Sequence, residues 1–524
     1  MSLVATRTGA IRRSVARPGA SHPWLTLGAW IVAVCVLSPL AFLGLAATQA
    51  GWSSVSRVFL RQLTVTLVVN TVVMTILVTI VAAVIGTTAA WILERTDVPA
   101  RRLLLVVLII PAAIPDFIET FGWINVAPWL HGLFGAVFVL SLAVYPFVMV
   151  PVAAALRRVD HRHEEVASSL GVSRLGVITR VTLPAVRTAI AGGCLLVALQ
   201  LLAEYGSFEM LGYRTFTTEI FTEFQVGLNI EVAAALCIVL VLMSAMLVLG
   251  ESAVSAAGRR ESGSDVVVAP RIELRGTKVA ALAFLGLVAV GAFVVPASSI
   301  ISLLVTPGPA ILPSASLLAA IGSSLLYGLA AATLATLGAA IIALGSQRAR
   351  TFLRRAPSTL ALVPLAVPGV VVALALSYVA EHYGGGRFYE SSPLLIAGYT
   401  VMFLPLALIG VRSSLDQVPE SLLEVAASLG STRSAQLFRV VIPLIAPGLG
   451  AGFALVFLST ITELTATLVM IPTGIETLAT QFWTYQTNLS YGQAAPYAAA
   501  MILLAAPPLV LLARLGERRG DRRR

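Results

Sequence analysis

The chain has 524 residues, 58% of them hydrophobic and 11% charged, with a formal charge of +10 and a mean hydropathy of +0.93. A soluble globular domain is nearer a quarter charged, so a soluble fold is excluded. Long, continuously apolar runs, rather than alternating ones, leave membrane-spanning helices as the fold class.

In chain order, Arg7, Arg12, Arg13 and Arg17 precede the apolar stretch 24–47. It is too long for an ordinary signal-peptide core and reads as an uncleaved first span with a cytoplasmic N-terminus. Further spans are predicted at 64–93, 103–123, 133–156, 186–206 and 230–252, then at 278–304, 318–345, 358–380, 392–412, 446–470 and 493–514. This all-α, twelve-helix arrangement puts 94–102, 157–185, 253–277, 346–357, 413–445 and the C-terminal tail in the cytoplasm. Those connections hold Arg95, Arg101, Arg102, Arg157, Arg158 and the runs "GRRESGSD", "QRARTFLRR" and "GERRGDRRR". The outer ones hold chiefly Arg57, Arg61, Arg214 and Arg387. The asymmetry obeys the positive-inside rule and accounts for the basic charge without nucleic-acid binding. Cys35, Cys194 and Cys237 lie in apolar runs without ligand spacing, and His161 and His163 lack further metal-binding partners; no metal site is expected.

The segments 164–184 and 423–443 align without a gap at an offset of 259, with ten identities in twenty-one positions. "PAAIP" from Pro111 to Pro115 answers "PLAVP" from Pro364 to Pro368, Tyr145 and Pro151 answer Tyr399 and Pro405, and Glu204 answers Glu463. The chain therefore divides into a first half, 1–253, a polar cytoplasmic linker, 254–277, and a second half, 278–524, the halves being parallel six-span repeats. In each repeated paragraph a short helix is predicted to end at Gly171 or Gly430, where glycine supplies the left-handed turn. Ser173 or Thr432 then caps a second short helix that lies at the cytoplasmic surface and meets Pro184 or Pro443 before the next span. A single copy would read equally well as an interfacial connector. Two copies on one side suggest a docking surface for a partner with two-fold symmetry.

The paragraph resembles the EAA loop of ABC-importer permeases, E-A-A, three residues, G, nine residues, I-x-L-P. The first copy has Glu165-Val166-Ala167, Gly171, Arg180 and Val181-Thr182-Leu183-Pro184; the second has Glu424-Val425-Ala426, Gly430, Arg439 and Val440-Val441-Ile442-Pro443. Both copies depart at the middle alanine and at the isoleucine, and the second also has Ile for the leucine. The resemblance implies the type I permease fold and loops that couple to two copies of a cytoplasmic ABC ATPase. It also implies an extracytoplasmic substrate-binding protein and a place in a bacterial cytoplasmic (inner) membrane with both termini cytoplasmic. Lys278 is the only lysine and lies outside any Walker A pattern, so ATP and Mg belong to the partner ATPase; no enzyme activity and no cofactor are expected of this chain.

The stretches 203–221 and 462–483 look like those of two-domain ferric-iron permeases; thiamine, phosphonate and polyamine permeases are alternatives. Glu204 and Glu463 with Gln200, and Asp116 with Glu119 in the third span, are the candidate pathway residues. Intramembrane carboxylates usually face a bundle interior or a wet path, and oxygen ligands suit a hard cation. The other reading places them at the interface or in bonds across helices. An ion-gradient-driven secondary transporter is the rival of another class; such carriers often have inverted repeats, whereas these halves are parallel.

Overall fold

The computed structural model describes residues 23–50, 58–59, 61–227, 229–258, 271–306, 315–347, 352–384, 388–389 and 391–521. The first half contributes α1 (Pro23–Ala50), α2 (Gln62–Arg95), α3 (Arg101–Ile109), α4 (Asp116–Val126), α5 (Gly132–Val144), α6 (Pro146–Leu156), α7 (His161–Ser169), α8 (Leu183–Ala203), α9 (Gly206–Met210), α10 (Phe216–Gln225) and α11 (Ile230–Gly258). The second contributes α12 (Lys278–Ala289), α13 (Val295–Val305), α14 (Ala315–Gly345), α15 (Phe352–Leu360), α16 (Gly369–Tyr383), α17 (Ser392–Leu415), α18 (Glu420–Ser428), α19 (Ile442–Ile461), α20 (Thr465–Met470), α21 (Leu478–Thr487) and α22 (Tyr491–Asp521). Among the described residues the one β feature is an isolated parallel bridge between Thr96 and Ile272. Residues 259–270 of the expected linker lie outside the described residues.

The count of twelve spans is not reached. Among the described residues eight helices are long and apolar enough to cross a membrane, and three bent pairs raise the number to eleven at most. The twelfth stretch, 493–514, is helical within α22, whose side chains are described only in part. The third and ninth predicted spans are not straight rods. They turn by 97° between Ala113 and Asp116 and by 106° between Ala366 and Gly369. Pro111 and Pro115 flank the first break and Pro364 and Pro368 the second, so these prolines mark the same corner in both halves.

The second short helix of each repeated paragraph is also not separate. Arg174–Val177 and Arg433–Gln436 run through π turns, Ile178–Thr182 and Leu437–Val441, into α8 and α19, making each a continuous helix. A third π turn, Val290–Val294, joins α12 to α13. All three end two residues before a proline, Pro184, Pro296 or Pro443. A proline ring clashes with the carbonyl four residues back, and a widened turn moves that carbonyl aside without ending the helix.

The halves are interlocked. α1 lies against α14 of the other half, where a Cβ on Gly28 would stand 3.1 Å from Ile341 Cγ2, and Trp30 Nε1 donates to the Leu353 carbonyl at 3.0 Å. In turn the α12–α13 helix crosses to α4. Gly122 abuts Pro296, Trp123 Nε1 donates to the Gly291 carbonyl at 3.0 Å, and Asn125 Nδ2 donates to Ser299 Oγ at 3.0 Å. Accordingly Leu25 and Ala29 belong to a core built mainly by the second half, while Ala281, Leu285 and Ala292 complete that of the first.

Candidate functional site

Both repeated paragraphs have the same backbone. Gly171 and Gly430 sit at φ +80°, and each closes the preceding helix by donating its N–H to the Ser168 or Ala427 carbonyl at 3.0 Å. Ser173 Oγ accepts from Gly176 N at 3.2 Å and Thr432 Oγ1 from Ala435 N at 3.3 Å, the expected caps. Glu165, Glu424, Gly171, Gly430, Arg180, Arg439, Pro184 and Pro443 are exposed, and Ala167 and Ala426 half-buried. Val166, Leu170 and Leu175, with Val425, Leu429 and Phe438 in the second copy, add a large apolar component to that surface. Together they form a repeated, partly apolar face of the kind that a protein partner covers.

The first paragraph has a brace that sequence reasoning missed. Arg95, buried at the end of α2, donates to Glu164 through Nη2 at 3.0 Å and Nη1 at 3.4 Å, and Thr182 Oγ1 donates to the same carboxylate at 2.8 Å. Next to it, Glu94 is paired with Arg101 and, at 2.7 Å, with Arg157. The end of the linker docks on this turn: Ile272 N donates to the Arg95 carbonyl at 2.8 Å and Leu274 N to Asp97 Oδ1 at 2.9 Å. Lys278 Nζ stands 3.4 Å from Asp97 Oδ2. The Leu274 N–H, more than Lys278, holds the Asp97 carboxyl below the usual carboxylate range. A depressed folded-state pKa means that this contact is present above the ordinary value and lost only as pH falls through the lowered one, so it does not titrate near neutrality.

The intramembrane candidates converge on the corner between α3 and α4. Asp116 is the first residue of α4 and Glu119 lies one turn on; both are buried. Gln200 Nε2 donates to Asp116 Oδ2 at 3.2 Å, joining α8 to α4. Glu204 Oε1 accepts from Ser207 N at 2.7 Å, and its counterpart Glu463 Oε1 accepts from Ala466 N at 2.9 Å. Each repeated glutamate thus caps a short helix, α9 or α20, which is a structural role the two share. Their surroundings differ. Glu204 lies within electrostatic range of Asp116 and of Glu463. A Cβ on Gly369, the residue at the Asp116 position of the second half, would stand only 3.3 Å from Glu463 Oε1. Neither Glu119 oxygen has a hydrogen-bond partner. The carboxylates do not form a cage: among the described residues no group of three His, Cys, Asp or Glu is arranged to hold a metal ion.

Aromatic packing fixes this region between the halves. Phe117 and Phe121 of α4 pack on Phe482 of α21 with ring centroids 5.4 and 5.2 Å apart, and Tyr205 lies 5.4 Å from Trp483. A Cβ on Gly206 would meet Leu464 Cδ2 at 2.8 Å and Phe117 Cβ at 2.9 Å, so only glycine fits there. The matched tyrosines are structural too. Tyr145 donates from its hydroxyl to the Leu108 carbonyl at 2.7 Å, satisfying an acceptor freed where α3 ends before Pro111, and Tyr399 pairs with Thr467 Oγ1 at 2.6 Å. Tyr145→Phe leaves that buried carbonyl without its donor and is expected to cost about 1–3 kcal/mol, measured as a lower unfolding midpoint of the detergent-solubilised protein.

One further element of the repeat escaped the sequence reading. Thr71 Oγ1 accepts from Phe216 N at 3.3 Å and Ser324 Oγ from Leu478 N at 2.9 Å, tying the second span of each half to the start of α10 or α21. Both helices open with a Thr-x-x-Thr capping box, Thr215/Thr218 and Thr477/Thr480. That signal was present in the sequence, but at an offset of 262 rather than 259 because the second half has a loop three residues longer.

Comparison with known proteins agrees with the repeat. The model of the binding-protein-dependent transport system inner membrane component family matches residues 42–255 and again 335–521. The Fe(3+)-transport system permease protein FbpB 2 of Haemophilus influenzae is 30% identical over 498 residues, 93% of this chain and 97% of the relative. A probable molybdenum ABC transporter permease protein of Haloferax volcanii is 28% identical over 240 residues, 43% of this chain and 89% of its own length. The sulfate transport system permease protein CysW of Synechocystis sp. is 31% identical over 190 residues, 32% of this chain and 68% of the relative.

Proposed function

Because the chain belongs to the binding-protein-dependent transport system inner membrane component family, we propose that it is the fused, two-half permease of an ATP-driven importer for ferric iron. In this reading the halves meet at 254–277, the termini are cytoplasmic, and an extracytoplasmic binding protein delivers the cargo. Two copies of a cytoplasmic ATPase, using ATP and Mg, bind the exposed faces around Glu165, Ala167, Gly171, Arg180 and Pro184 and around Glu424, Ala426, Gly430, Arg439 and Pro443. Binding and hydrolysis of ATP swing the halves between outward-open and inward-open states; this chain makes and breaks no covalent bond.

The observation that carries the choice of cargo is the sign of the buried charge. Among the described residues the buried carboxylates are Asp116, Glu119, Glu204 and Glu219, the last paired with Arg214 at 2.8 Å, whereas the one buried basic side chain, Arg95, is at the far end of α2. A path for a dianion such as sulfate calls for donors and positive charge, and an acidic one repels it at short range in a low-dielectric interior. A hard cation is matched by carboxylate and amide oxygens, here Asp116, Glu119, Gln200, Glu204 and Glu463. In this reading these groups act in series, and the cation is passed on rather than retained.

Uptake of radiolabelled ferric iron, with thiamine and sulfate in parallel, in cells with and without the gene tests the reading. Loss of ferric uptake alone, restored by the gene, is the expected result. Loss of thiamine or sulfate uptake with iron unchanged overturns the cargo and leaves the permease.

A further inference from the structure

The two cytoplasmic loops share a backbone but are not anchored alike. In the first, the Arg95–Glu164 pair ties α7 to the end of α2 and Thr182 adds a third member from the turn that leads into α8. In the second half the residues at these acceptor positions differ. Leu423 stands at the position of Glu164, Val441 at that of Thr182 and, in the register set by Pro111 and Pro364, Gln347 at that of Glu94 and Arg350 at that of Asp97. Leu423, Leu437 and Val441 instead seat the second loop on the apolar core. Apolar contact is non-directional and lets a helix slide, whereas a two-pronged guanidinium–carboxylate pair fixes distance and orientation.

The helix that holds Arg95 is also the one that reaches the carboxylates from outside. α2 is continuous over 34 residues, about 50 Å at the α-helical rise, and carries no proline. Towards its outer end Asn70 Nδ2 donates to the Arg214 carbonyl at 3.1 Å, and the Asn70 carbonyl accepts from Tyr213 Oη at 3.0 Å. Thr71 Oγ1 accepts from Phe216 N, and the adjacent Thr217 Oγ1 donates to the Glu204 carbonyl at 2.5 Å. α2 therefore links the first loop to the start of α10, whose Thr217 bonds the backbone of Glu204.

We propose that Arg95 is a positioning residue for transport: it locks α7 to α2 so that displacement of the first loop moves the outer wall of the carboxylate path. This rests on the importer reading above. Arg95 touches neither cargo nor nucleotide; it acts through Glu164.

The test uses cells in which Arg95→Ala, Arg95→Lys, Arg95→Glu or the exchange Arg95→Glu/Glu164→Arg replaces the natural gene in the presence of its partners. Ferric uptake, ATPase retained on the purified permease and ATP hydrolysis by that complex are measured together. For Arg95→Ala, uptake is expected to fall about tenfold, the size of a typical coupling between sites, with ATPase retained and hydrolysis continuing. Arg95→Lys, which keeps the charge but not the fork, is expected to lie between. The exchange variant is expected to recover uptake well above Arg95→Glu alone, a gain that a residue needed only to fill space does not give. Uptake by Arg95→Ala within about twofold of the natural protein, or an exchange variant no better than Arg95→Glu, overturns the proposal. Should Arg95→Ala fail to reach the membrane, the comparison of the exchange variant with Arg95→Glu decides by the same criterion. A natural permease that retains no ATPase overturns the importer reading itself, and this inference with it.

Discussion

Valine at both Gly171 and Gly430 is expected to lower uptake by more than tenfold while leaving the protein in the membrane. Both glycines sit at φ +80°, where a side chain with a β-carbon costs roughly 1–2 kcal/mol and a β-branched one falls at the upper end. No atom lies within 4 Å of a Cβ built at either position, so the effect is backbone strain rather than a clash. The strained turn relieves itself by unwinding α7 or α18, which moves Glu165 and Ala167, or Glu424 and Ala426, relative to the following helix. The loops belong to different halves and their effects add, giving about 2–4 kcal/mol against the docked arrangement. Asparagine, which tolerates the left-handed conformation, is the control: Gly171→Asn/Gly430→Asn is expected to transport at close to the natural rate. Uptake and the ATPase retained on the purified permease are the measurements, and normal uptake by the double valine variant removes the docking role from these loops.

The sequence made the repeat legible because its strongest signals are local. A glycine that must be left-handed, a hydroxyl that caps and a proline at a fixed distance leave marks within a few residues, and the backbone at Gly171, Ser173, Gly430 and Thr432 follows them. The corners at Pro115 and Pro368 were half legible. Hydropathy sees only that 103–123 and 358–380 are apolar, and it cannot tell a straight span from one folded by 97° or 106°. The π turns before Pro184, Pro296 and Pro443 were marked only by those prolines, and a proline in an apolar run equally announces a kink or a helix start. Long-range partnerships were the least legible. Nothing local says that Arg95 finds Glu164 across 69 positions, or that α1 leaves its own half to pack on α14. The small residues Gly28, Gly338 and Gly345 permit that approach, but glycine in an apolar helix is too common in membrane proteins to name its partner.

At the carboxylates the repeat separates structure from transport and makes the second large effect measurable. Glu204 and Glu463 both cap short helices, so truncating either one removes a cap as well as a charge, and the two losses cannot be told apart. Glutamine keeps the oxygen that accepts from Ser207 N or Ala466 N and removes only the charge. At an effective dielectric of about 20, one charge ~5 Å from a cation is worth about 3 kcal/mol per unit of cation charge, or roughly a hundredfold in population. The double variant removes two such charges, so ferric uptake by Glu204→Gln/Asp116→Asn is expected to fall by at least about a hundredfold, with the unfolding midpoint of the purified protein little changed. Glu463→Gln is expected to fall less than Glu204→Gln alone, because Gly369 stands where the first half has Asp116. A fall of equal size in both variants makes the path symmetric. Unchanged uptake in Glu204→Gln/Asp116→Asn leaves these residues as caps and corner-holders only, since the one feature that distinguishes the first-half corner from its repeat would then have no bearing on the cargo.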